Sequence, residues 1–131
     1  MVCGVFLSGW TEGSLGAPYA GGNGDAWLAH FDSDGNQTWI RQFGTSAWDY
    51  AYAGAPDGAG GVYVSGMTYG NLGGLSAGDQ DGYLAHYDGA GNQLWIRQFG
   101  SSGTGEPLAA APDGVGGVVW LVWAMIVNFG L

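Results

Sequence analysis

A long internal repeat constrains this chain more than any other feature. Asp25-Ala26-Trp27-Leu28-Ala29-His30-Phe31-Asp32 recurs as Asp81-Gly82-Tyr83-Leu84-Ala85-His86-Tyr87-Asp88. Gly35-Asn36-Gln37-Thr38-Trp39-Ile40-Arg41-Gln42-Phe43-Gly44 recurs as Gly91-Asn92-Gln93-Leu94-Trp95-Ile96-Arg97-Gln98-Phe99-Gly100, so Trp39 returns as Trp95, 56 positions later. Ala55-Pro56-Asp57-Gly58 maps onto Ala111-Pro112-Asp113-Gly114 at the same spacing. Gly4-Val5-Phe6-Leu7-Ser8-Gly9 maps onto Gly61-Val62-Tyr63-Val64-Ser65-Gly66 one residue further apart, which an insertion near Gly22 explains. A fixed period of this size is the mark of an array of supersecondary units that bury their apolar faces against one another.

Each unit contains four short strand-like stretches, in the first unit Val5 to Trp10, Ala26 to Phe31, Thr38 to Phe43 and Tyr50 to Ala55, bounded by Gly, Asp, Asn or Pro. With 28 Gly, seven Trp and seven Tyr in 131 residues, composition also favours short strands and tight turns over helices. Asp32-Ser33-Asp34-Gly35-Asn36 and Asp88-Gly89-Ala90-Gly91-Asn92 read as hairpin turns in which Gly35 and Gly91 take a positive φ, making the second and third strands antiparallel neighbours. Along the third strand Trp39, Arg41 and Phe43 share one face and Ile40 and Gln42 the other, as expected of a sheet packed between two others. The fold class is therefore all-β, as β-propeller-type tandem four-stranded antiparallel blades, about two and a partial third, in an incomplete ring. The units run over 4–60 and 61–116, with a partial or degenerate third at 117–131.

The repeated motifs, Asp25 to Asp32 and Asp81 to Asp88, Gly35-Asn36 and Gly91-Asn92, Trp39 to Gly44 and Trp95 to Gly100, and Asp57 to Thr68, resemble the seven-bladed β-propeller repeats (SBBP repeats) of bacterial, notably cyanobacterial, surface and secreted proteins. The resemblance covers nearly all of residues 4 to 117 and stops where the chain reads Val118-Val119-Trp120-Leu121-Val122-Trp123-Ala124-Met125. It implies an extracellular or cell-surface setting and a binding or structural scaffold within a larger assembly. Because propellers usually close with four to eight blades, further blades or self-association are expected to complete the ring.

Net charge excludes one class of partner. Eleven acids against Arg41 and Arg97, with no lysine, give a formal charge of -9, which repels a phosphate backbone and argues against nucleic acid. Cys3 stands alone, so neither a disulfide framework nor a cysteine metal cluster is encoded. The first residues lack a basic region and a cleavage site and do not read as a signal peptide. The apolar run from Val118 to Val127 falls short of the roughly 20 residues a membrane span needs, so it is expected to be a strand or a degenerate stretch.

No nucleophile elbow, zinc-binding His-Glu-x-x-His, Walker loop or dinucleotide fingerprint occurs, so no catalytic residue and no organic cofactor is assigned. Asp32, Asp34 and Asn36 place oxygen ligands at alternating positions around Gly35, as a calcium loop does. Phe43 stands where such a loop wants a Glu, and Ala90 replaces Asp34 in the second unit. Side-chain capping of a hairpin therefore competes with the metal reading and is preferred. His30 and His86 repeat, which suits a structural hydrogen bond between blades better than catalysis. Arg41 and Arg97 are expected to pair with Asp49, Asp25 or Asp81. Trp10, Trp48, Tyr50 and Tyr69, with Tyr19, fall in loops and at strand ends, where rings either contact a carbohydrate or protein ligand or staple loops to the sheet. Two alternatives stay open beside the non-catalytic scaffold: a fragment of a propeller hydrolase or lyase acting on glycans, and a truncated product without independent function.

Overall fold

In the computed structural model, residues 4–103 are described in full, and beyond them the strands at 107–112 and 118–122. Cys3, the Asp113-Gly114 turn and most of the third unit lie outside the described residues.

The chain is all-β. Among the described residues there is no helix, and hence none long and apolar enough to cross a membrane. The strands are β1 (Gly4–Thr11), β2 (Asp25–Asp32), β3 (Gln37–Phe43), β4 (Asp49–Pro56), β5 (Val62–Thr68), β6 (Asp81–Tyr87), β7 (Gln93–Phe99), β8 (Pro107–Pro112) and β9 (Val118–Val122). They form antiparallel sheets of order β1-β2-β3, β4-β5-β6-β7 and β8-β9, with no closed barrel. The hairpin turns follow the expected chemistry: Gly35, Gly58 and Gly91 have φ of 85°, 83° and 82°.

The hydrogen-bonded unit is out of phase with the sequence unit. β4 pairs with β5 rather than with β3, and β8 with β9, so the second and third sheets begin with the last strand of the preceding sequence unit. The chain thus crosses from one sheet to the next inside residues 44–48, and each of the first two sequence units contributes to two sheets. β2 and β6 pair with β3 and β7 through the same register shift, after His30 and after His86, so the repeat extends to a β-bulge.

β4 packs on β1 and β2 of the first sheet, and β8 lies against β4 and β5. The main core joins both sheets through Leu28, Trp39, Val62, Val64, Tyr83 and Tyr87, with Phe6, Phe43 and Ile96 packed against it. Tyr63 and Leu84, with Trp95, form a second cluster. β5, inside the four-stranded sheet, is buried along its whole length. Two ties fasten the sheets. Trp39 Nε1 donates to the Gly89 carbonyl at 3.0 Å, and Arg41 Nε to that of Gly91 at 2.8 Å, so the third strand of the first sheet grips the β6–β7 turn of the second.

Candidate functional site

Trp10, Trp48, Tyr50 and Tyr69, which the sequence scatters over sixty positions, are brought together into one surface. Tyr50 is the hub: its ring lies 5.2 Å from that of Trp10 and 5.7 Å from that of Trp48, both edge to face. Trp48 continues edge to face to Tyr69 at 5.8 Å, and Tyr52 stacks on Tyr50 at 6.2 Å. Contacts of this kind lock ring orientation beyond what apolar burial alone does. Trp10, Trp48, Tyr52 and Tyr69 are exposed, so the ledge combines fixed geometry with open faces. A shallow depression of about 250 Å³ is lined by Ala47, Trp48 and Tyr69. Tyr52 was not anticipated; it alternates with Tyr50 along β4, and that spacing was the clue to a shared face.

The ledge sits at the end of the sheets where the β1–β2, β3–β4 and β5–β6 connections emerge, and a repeated polar clasp holds two of them. Gln42 Oε1 accepts from the amides of Leu15 (2.6 Å) and Gly16 (3.0 Å), while its Nε2 donates to the Gly13 carbonyl and to Asp25 Oδ2. Gln98 makes the same set in the second sheet, with Leu72, Gly73, Gly70 and Asp81. Asp25 and Asp81 also accept from the amides of Ala20 and Ala77. These are long loops held by a Gln and an Asp side chain each, which sequence reasoning passed over; the repetition of Gln42 as Gln98 was the available clue.

Asp49 anchors the third connection. Its carboxylate accepts from the amide and hydroxyl of Thr45 and from the Thr68 hydroxyl, and burial pushes its pKa up against those bonds, with the Asp25 charge adding to the rise. Tyr19 donates its hydroxyl to the Gly22 carbonyl at 2.8 Å, which commits that ring to its own loop. Burial raises the Tyr50 hydroxyl, with Tyr69, Glu12 and Tyr19 contributing, so Glu12 faces the same end.

The Asp32 turn uses its polar groups internally. Asp32 Oδ1 accepts from the amides of Asp34 and Asn36, both at 2.9 Å, and Oδ2 from Asn36 Nδ2 at 3.2 Å. These bonds, led by Asn36, hold the Asp32 carboxyl below its usual range, and Asp88 repeats the pattern with Asn92. The Asn36 amide turns a donor toward Asp32, which orients the trio for capping. Among the described residues no group of three or more acidic, His or Cys side chains converges.

Two expectations need correction. Arg41 and Arg97 do not pair with Asp49, Asp25 or Asp81: those carboxylates lie buried among amide and hydroxyl donors, while Arg41 reaches across to the β6–β7 turn and Arg97 is exposed. Arg41 bonds the carbonyls of Ile40, Ala90 and Gly91, Arg97 bonds that of Ile96, and each guanidinium lies 5.6 Å from its neighbouring indole, Trp39 or Trp95. The histidines, expected to bond between blades, make their bonds within a sheet. His86 Nε2 meets Asp57 Oδ2 at 2.8 Å, and His30 Nδ1 meets Thr38 Oγ1 at 2.7 Å. Burial works to raise Asp57, but its bonds to His86, Ala59 and Gly61 outweigh that and hold it low. Neither a family model nor a curated protein matches the chain.

Proposed function

We propose that this chain is a non-catalytic β-propeller-type repeat segment, of the SBBP kind it resembles, serving as a binding and structural scaffold in a larger bacterial surface or secreted protein. The observation that carries the reading is the aromatic ledge of Trp10, Tyr50, Trp48 and Tyr69: three open rings and the half-buried Tyr50 in fixed edge-to-face order, carried by β1, β4 and the residues next to β4 and β5. Sugar rings present apolar faces that stack on such indoles and phenols, and a chain of charge -9 suits neutral glycans better than anionic ones. A carbohydrate is therefore the favoured ligand, with a protein as the second choice, and the outer faces of the sheets are left for further blades or self-association.

Titration of tryptophan fluorescence with neutral oligosaccharides tests this, with product analysis of the same mixtures. The expected result is saturable quenching, lost in Trp48→Ala with the far-ultraviolet spectrum unchanged, and intact sugar afterwards. Cleaved sugar would move the assignment to a glycan-acting enzyme fragment. Absence of quenching with every sugar would remove the carbohydrate reading.

A further inference from the structure

The two units differ at one place that the repeat itself makes interpretable. β1 is the counterpart of β5: Val5, Leu7 and Thr11 correspond to Val62, Val64 and Thr68. Val62 and Val64 are 0% exposed, whereas Val5 and Leu7 are 56% and 51% exposed. Val62 and Val64 lie in the core between the two sheets, and the two strands differ at their edges as well. β5 has β4 on its outer edge, paired from Asp49↔Thr68 to Pro56↔Val62, and among the described residues no strand pairs with the outer edge of β1.

The side chains that receive β4 are repeated as well. At one end Thr68 Oγ1 accepts from the Gly70 amide and donates to Asp49 Oδ1. Thr11 Oγ1 accepts from the Gly13 amide in the same way, and among the described residues its own proton has no acceptor. At the other end His86 Nε2 holds the Asp57 carboxylate. Among the described residues His30 has only its Nδ1 engaged, by Thr38, and its Nε2 lies beside Gly4 at the wall of a cavity of about 560 Å³ bounded by Gly4, Phe6, His30 and the 56–61 turn. Phe6 lies against His30 at 4.8 Å as Tyr63 does against His86 at 4.2 Å. The Thr38 hydroxyl lies 2.7 Å from Nδ1 and 3.2 Å from the His30 carbonyl, and a carboxylate arriving at Nε2 selects the tautomer in which the hydroxyl donates to Nδ1 and Nε2–H faces the cavity.

We infer that the outer edge of β1, with Thr11 at one end and His30 at the other, is a docking site for an extended strand ending in a Pro-Asp-Gly turn and carrying two aspartates eight positions apart, supplied by another repeat of the Asp49–Gly61 type. One carboxylate takes the Thr11 hydroxyl, the other takes His30 Nε2–H, and the strand between them adds to the sheet by main-chain hydrogen bonds over Val5 and Leu7. Main-chain pairing gives affinity; the spacing of the two carboxylates gives register, because a one-residue slip carries both away from their partners. The inference rests on the repeat-scaffold reading and names the partner of its open sheet.

The test uses the whole chain and a synthetic peptide of residues 49–61, followed by calorimetry. Saturable one-to-one binding is expected, and Asp57→Asn or Asp49→Asn in the peptide weakens it about tenfold each, the worth of one hydrogen bond to a charged group. In the His30→Gln chain, the Asp57→Asn penalty disappears and the Asp49→Asn penalty persists, a pattern that loss of fold does not mimic. No saturable binding, or equal binding of all three peptides, overturns the inference. Oligosaccharide binding at the aromatic ledge in a chain that ignores the peptide leaves the scaffold reading standing and removes this one alone.

Discussion

Gln98→Ala is the substitution on which the account of the loops stands. The amide of Gln98 accepts from Leu72 and Gly73 at 2.8 and 3.0 Å and donates to the Gly70 carbonyl and Asp81 Oδ2, each at 2.9 Å. Three neutral bonds at about 1 kcal/mol and one to a carboxylate at about 2 kcal/mol set an upper bound of about 5 kcal/mol. The loop amides regain water when released, whereas Asp81 is fully buried and its Oδ1 already lacks a partner. A loss of about 3 kcal/mol is therefore expected, or about 1.5 M in the urea midpoint at a slope of about 2 kcal/mol per M. Gln98→Glu sharpens the test. It keeps the acceptor for the two amides but sets a second carboxylate against Asp81, so it is expected to be worse than alanine at pH 7 and better than alanine near pH 4, where a proton bridges the pair. A loss below about 1 kcal/mol for alanine, or the same ranking of the two variants at both pH values, would refute the claim that this clasp holds the connection.

Other consequences follow from named contacts. Asp57→Asn is expected to cost about 1–2 kcal/mol at neutral pH; because the folded pKa of Asp57 is depressed, that stability is present above the unfolded value and fades as pH falls through the folded one, so the variant's acid limb in urea titration should be flatter. Asp49 has the opposite sign: its folded pKa is raised, so its stabilising proton is held at low pH and its burial cost appears as pH rises through the folded value, and Asp49→Asn should remove that slope. Gly66→Ala is expected to abolish cooperative unfolding, since its Cβ would collide with the Tyr50 carbonyl and the Tyr83 ring, while Gly35→Ala, with open space and only its positive φ to strain, should cost about 1 kcal/mol by thermal melting.

What the sequence made legible was whatever closes within a single unit. Gly35 and Gly91 announced their hairpins, and the alternation of Trp39, Arg41 and Phe43 announced a sheet with apolar surface on both faces, because turn chemistry and pleat are local. Strand pairing across units was not legible in the same way. A period of 56 residues is the same wherever it is cut, so nothing in the repeat says whether β4 pairs with the strand before it or after it. Nor does spacing reveal that Trp10 meets Tyr50, since that contact spans two sheets.

The misplaced arginine pairs show the same division from the side of energetics. In a chain with two arginines and eleven acids, opposite charges were expected to find each other. Burying an ion pair, however, requires desolvating both partners. A carboxylate that serves loop amides, as Asp25, Asp49 and Asp81 do, can be buried with neutral donors and no cation. Arg41 is then free to act between units, where its planar donors reach the carbonyls of Ala90 and Gly91 and its face lies on Trp39. Neutral donors bind each sheet internally, while the arginine and its indole bind one sheet to the next, so Arg41→Lys is expected to loosen the sheet-to-sheet contact and leave the clasps intact. Hydrogen exchange should register that as faster exchange at the interface amides with unchanged protection of the Leu15 and Leu72 amides; equal acceleration at both would mean that the sheets do not behave as separable layers.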